Sequence, residues 1–134
     1  MNVAISRLVT GALAVAASSG CGLVSNRGDT YVVQADSIGV GPVRSADNTV
    51  PVRVYGFVGG SSCQSLKTVE RSATGDTLFR RFIGVQSGGG NCFLTLSLLE
   101  FEERLPNVPA RRVVFVVRQA RGAPLARTIN LPLP

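Results

Sequence analysis

Between Tyr31 and Leu131 the apolar residues come in short runs, several alternating with polar ones, and no stretch repeats them at helical spacing. The clearest run is Thr49 to Val58, where Val50, Val52, Val54 and Val58 alternate with Arg53, Tyr55 and Phe57. Successive side chains of a strand point to opposite faces, so this run predicts a strand with a valine face turned to a core. Six more runs read as strands: Tyr31 to Ile38, Cys63 to Arg71, Thr77 to Gln86, Cys92 to Phe101, Arg112 to Gln119 and Leu125 to Leu131. In the run from Thr77, alternation puts Phe79, Ile83 and Val85 on one face and Arg80 on the other. Turn-forming clusters separate the runs: Gly41-Pro42, Gly59-Gly60-Ser61-Ser62, Thr74-Gly75-Asp76 and Gly88-Gly89-Gly90-Asn91.

Seven strands in about 100 residues predict a single all-β domain over 31–134, and the pattern resembles a seven-stranded immunoglobulin-like sandwich. The tryptophan of the antibody-domain core signature is missing, and a small barrel fits the same runs. In a constant-type sandwich the third and fifth strands lie in opposite sheets. Cys63 opens the third and Cys92 the fifth, so a bond between them would staple the sheets at one pole. The opposite pole then gathers the loops Gly39–Asn48, Ser72–Asp76 and Glu102–Arg111.

The start of the chain is of another kind. Arg7, the apolar stretch Leu8 to Ala17 and the small residues Ser18-Ser19-Gly20 lead up to Cys21. Residues 1–20 therefore read as a secretory signal peptide. The apolar stretch is about ten residues, and a bilayer span needs about 20. The basic–apolar–small–Cys order resembles the lipobox of bacterial lipoproteins, a family that usually has leucine where Ser18 stands. The resemblance implies a diacylglyceryl thioether on Cys21, cleavage before it and acylation of the new amino terminus. Residues 21–30 would be a lipidated tether; two acyl chains already anchor stably. Gly22 takes the place of the aspartate that retains such proteins in the inner membrane. That implies the outer membrane, facing the periplasm, in a cell with two membranes. Ordinary cleavage after Ala16-Ala17-Ser18, leaving Cys21 a free thiol, is the other reading of this start.

An exported protein with three cysteines has one to explain. With Cys21 lipidated, Cys63 and Cys92 remain as a pair suited to an oxidising compartment. Two cysteines without any histidine do not assemble a usual zinc site, and no metal or cofactor is expected. Losing Arg7 with the leader lowers the formal charge from +6 to +5, and Lys67 is the one lysine. The arginines are scattered, as on a solvated surface, and nucleic acid is the wrong partner for a tethered exported protein.

The absence of histidine removes the Ser-His-Asp and Cys-His arrangements. Gly88-Gly89-Gly90 has no following lysine or helix, so it is not a phosphate cradle. Glu100, Glu102 and Glu103 lack the spacing of a calcium loop. Arg80-Arg81 and Arg111-Arg112 read as surface charges. The expected function is a non-enzymatic interaction or structural module, held at the membrane by lipid, with an envelope protein, peptide or glycan as partner. Its expected binding pole carries Arg44, Asp47, Glu102, Glu103, Arg104 and Arg111, with Pro106 and Pro109 stiffening the longest loop. A carboxylate-dependent enzyme or enzyme subunit acting on envelope glycans is the alternative, since two carboxylates suffice for that chemistry.

Overall fold

The computed structural model describes residues 28–88 and 90–134. The expected signal peptide, Cys21 and the tether as far as Arg27 lie outside the described residues. The regular elements are all strands, with no helix among the described residues. They are β1 (Asp29–Val32), β2 (Gln34–Val40), β3 (Thr49–Ser61), β4 (Gln64–Thr74), β5 (Thr77–Gln86), β6 (Leu94–Pro106), β7 (Arg111–Val117) and β8 (Leu125–Leu131).

The strands form two sheets. In one, β3 lies between β2 and β6, antiparallel to both. In the other, β4 covers one edge of β5 along its length. β1 and β7 share the opposite edge: β1 pairs antiparallel with Ile83 to Gln86, β7 parallel with Thr77 to Arg80, and β8 follows β7. Between the sheets lie Val50, Val52 and Val54 of β3, Leu99 and Leu105 of β6, Phe82 of β5, Val113 and Phe115 of β7, and Ile129 of β8. Burying each such side chain contributes about 1.5–3 kcal/mol.

The first expected strand is two strands. At Val33 the chain leaves one sheet for the other: Val33 still donates its N–H to Phe82 O at 2.8 Å, while Ala35 already pairs with Gly56. The Gln119 side chain supports this crossing as a surrogate strand. It accepts from the Ala35 N–H at 3.0 Å and donates to the Ala35 carbonyl at 2.7 Å. Tyr31 ties the sheets again, its hydroxyl donating to Val58 O at 2.8 Å. Its ring lies on Gly84, where a Cβ would come within 2.4 Å of ring carbon.

Three expectations need correction. Eight strands stand among the described residues. The fifth strand continues to Pro106, so Glu102 to Pro106 are not loop. Alternation persists there under a run of charges, with Leu99, Phe101, Glu103 and Leu105 more buried than Glu100, Glu102 and Arg104. Lastly, the faces of β5 are reversed: Arg80 and Phe82 are buried, and Arg81 is exposed.

The staple between the sheets is present. Cys63 and Cys92 are bridged with Cα atoms 5.4 Å apart, inside the range a disulfide spans. Both lie just before their strands, Cys63 in the turn between β3 and β4 and Cys92 in the loop that leads to β6. Ser87 donates its N–H to Cys63 O at 2.9 Å, and Asp29 pairs with Gln86, so the chain enters the sandwich at this same pole.

Candidate functional site

At the other pole the outer face of the three-stranded sheet gathers charge. The register sets Arg53 opposite Glu102, Tyr55 opposite Glu100 and Pro51 opposite Arg104. Directly opposed residues on one face are close enough for their side chains to interact. Arg53 Nε donates to Glu102 Oε2 at 2.9 Å. Arg44 and Arg104 reach the other oxygen of Glu102 at 3.4 and 3.5 Å, and Arg104 also reaches Asp47 at 3.3 Å. Three guanidinium groups thus surround one carboxylate in an exposed array. An open cleft of about 330 Å³ beside it is lined by Arg53, Tyr55, Glu100, Phe101 and Glu102.

The loop that carries Arg44 and Asp47 is held from below. Arg44 N–H donates to Thr49 O at 2.8 Å, and the Thr49 hydroxyl donates to Asp47 at 2.6 Å. Asn48 takes a positive φ of 49°, a conformation asparagine tolerates better than most residues. Its carbonyl accepts from the Asn107 N–H at 3.0 Å, and its side-chain amide donates to Asn107 O at 3.2 Å. The Asn107 side chain then bonds both Leu133 N–H and Leu133 O, at 2.9 and 3.2 Å. This asparagine pair fixes three segments of the pole together. Neither residue stands out in the sequence; Asn107 reads there only as part of a long loop.

The six residues expected at the pole divide three ways. Arg44, Asp47, Glu102 and Arg104 come together in the exposed array. Arg111 opens β7 and makes no ion pair among the described residues. Glu103 faces the opposite side of β6 and belongs to the interior. There Arg80 Nε donates to its Oε2 at 2.7 Å, and Arg80 Nη2 pairs with its Oε1, making a two-pronged pair between the sheets. The Arg80 and Glu103 side chains are 6 % and 20 % exposed. Arg80 Nη1 also donates to Phe79 O at 2.7 Å, and the guanidinium lies 5.5 Å from the centre of the Phe115 ring. The expectation of a surface Arg80 is therefore wrong: its charge is matched inside by Glu103, an anion β6 turns inward.

The electrostatics follow from these contacts. The hydrogen bond from Arg53, with help from Arg104, holds Glu102 below the usual carboxylate range. The Thr49 hydroxyl, then the nearby Arg104 and Arg44, lower Asp47. A carboxylate whose folded pKa is depressed adds stability above its unfolded pKa, near 4, and loses it as pH falls through the folded value. Acid unfolding should show this: wild type and Glu102→Gln should differ at neutral pH, and the difference should shrink below about pH 4 as Glu102 protonates. A difference that grows on acidification would reverse the assignment. Among the described residues no three His, Cys, Asp or Glu side chains form a group able to hold a metal ion.

No family model, curated protein or solved structure matches this chain.

Proposed function

We propose that the chain is a membrane-anchored lipoprotein of the bacterial cell envelope. It binds another envelope component, protein or glycan, through the charged end of the three-stranded sheet, without catalysis. The observation that carries this reading is the array of Arg44, Arg53 and Arg104 held around Glu102 beside the exposed Tyr55. Arginine and tyrosine are enriched where proteins recognise one another, and an arginine fork suits carboxylate or phosphate groups. The array lies toward the pole opposite the chain's entry, so a tether at the amino terminus leaves it facing outward. The lipobox resemblance supports the anchor and the address.

We also read the sandwich as an immunoglobulin-like variant. The pairings β2–β3, β3–β6 and β7–β8 follow that order. The variation is at β5, which lies beside β7 in place of the third strand and runs parallel to it, where such a sandwich is antiparallel. Such folds host many functions, so the binding reading rests on the site and not on the fold. Action on glycans would need a carboxylic acid able to donate a proton. Glu102 is held ionised and Glu103 is committed to Arg80, and neither supports that alternative.

Cross-linking in intact envelopes followed by capture of the protein tests the binding reading. Arg53→Glu with Arg104→Glu should lose the partner, while Arg127→Glu, exposed on β8, should retain it. Capture unchanged by the double reversal but lost when the β6 edge is blocked would move the binding surface away from the array.

A further inference from the structure

The outer face of the three-stranded sheet changes character along its length. At the charged end stand Arg53, Glu102 and Arg104. Toward the bridged pole the same face becomes apolar, and exposure rises in that direction. Phe57 is 42 % exposed, Leu98 62 %, Leu96 67 % and Leu94 97 %, and Phe93 beside the disulfide is 70 % exposed. Isolated surface leucines are ordinary, but a contiguous apolar patch marks a contact surface. This patch is held in place: Ser62 donates its N–H to Phe93 O and accepts from the Phe93 N–H at its hydroxyl, both at 2.9 Å, next to the Cys63–Cys92 bridge.

We propose that this apolar end seats the domain on the lipid surface to which the chain is tethered. The inference rests on the lipoprotein reading of Cys21. Gly28, the first described residue, abuts Gln86 at the bridged pole. From Cys21 to Gly28 the chain reaches at most roughly 25 Å, so the anchor holds that pole close to the bilayer. The gradient points to lipid and not to a second copy. A partner sheet would cover the strip along its length, whereas a membrane meets the end of the sandwich, where exposure is greatest. Phenylalanine and leucine side chains are those that enter the headgroup–acyl boundary. With that pole seated, the arginine array faces away from the membrane.

The chain has no tryptophan, so a single one reports its own surroundings. The full-length protein, extracted from membranes, is reconstituted into phosphatidylethanolamine–phosphatidylglycerol vesicles with brominated acyl chains. One variant carries Leu94→Trp, another Val108→Trp in the loop at the far pole. The Leu94→Trp emission should shift to the blue and be quenched, and that of Val108→Trp should do neither. An unquenched Leu94→Trp in a chain whose Cys21 carries acyl mass overturns the seating and leaves the anchor standing. A blue-shifted but unquenched Leu94→Trp means that protein covers the patch, which also overturns it. Absence of acyl mass removes the anchor reading; quenching at Leu94→Trp in that chain would still support lipid contact, and none would refute it.

Discussion

Glu103→Ala is expected to lower the stability of the fold by about 3–5 kcal/mol, because it leaves the Arg80 guanidinium buried without its anion. Two backbone carbonyls, Ser72 O and Phe79 O, accept from Arg80 but carry no compensating charge. Taking an ion out of water costs several kcal/mol, which only a close, well-directed partner offsets. The neighbouring Glu102→Ala, on the exposed face of the same strand, should cost far less, since exposed pairs are screened and contribute little. Arg80→Met combined with Glu103→Leu should recover most of the loss, as an apolar pair of similar volume fills the space. Urea midpoints at unchanged slope measure all three. Equal losses at Glu102 and Glu103, or a double variant no more stable than Glu103→Ala, would contradict a buried pair.

Removing the Cys63–Cys92 bond, as Cys63→Ser with Cys92→Ser, should cost roughly 3–4 kcal/mol. The bond spans 29 residues, and the unfolded chain regains the entropy of that loop when it is cut. The effect is placed, not only global. The bridge joins the turn between β3 and β4 to the loop before β6, so its loss should also free Phe93 and Leu94. Hydrogen exchange at Phe93, whose N–H is held by Ser62, should rise more than at Val52 in the centre of β3. A midpoint unchanged by reductant would show that the sheets hold without the staple.

Where one face of a strand is apolar and the other polar, period two is unmistakable, and the valines alone set the faces of β3 correctly. The β8 bounds are equally plain, Leu125 to Leu131. β5 misleads because its inward set, Leu78, Arg80 and Phe82, looks less apolar than its outward set, Phe79, Ile83 and Val85. Only the position of Glu103 across the interior makes an inward arginine sensible, and that is a tertiary fact. The outward ring is not simply solvated either; the Arg118 guanidinium lies 4.7 Å from the centre of the Phe79 ring. In β6, Glu102-Glu103-Arg104 looks like a loop because charge masks the alternation that Leu99, Phe101 and Leu105 continue. The charged pole is legible as a place where loops converge, but not its wiring. Arg53 lies in a strand the pattern assigns, and its partnership with Glu102 depends on the β3–β6 register. The Asn48–Asn107 pair depends on two distant turns meeting, which no local pattern reveals.

Tethering through Cys21 is tested most directly by the intact mass of the protein extracted from membranes with detergent. The expected species begins at Cys21 and carries a diacylglyceryl group plus one further acyl chain, and Cys21→Ser should abolish both that mass and the membrane association. A membrane-free chain with an unmodified Cys21, cut instead after Ser18, would contradict the lipoprotein reading.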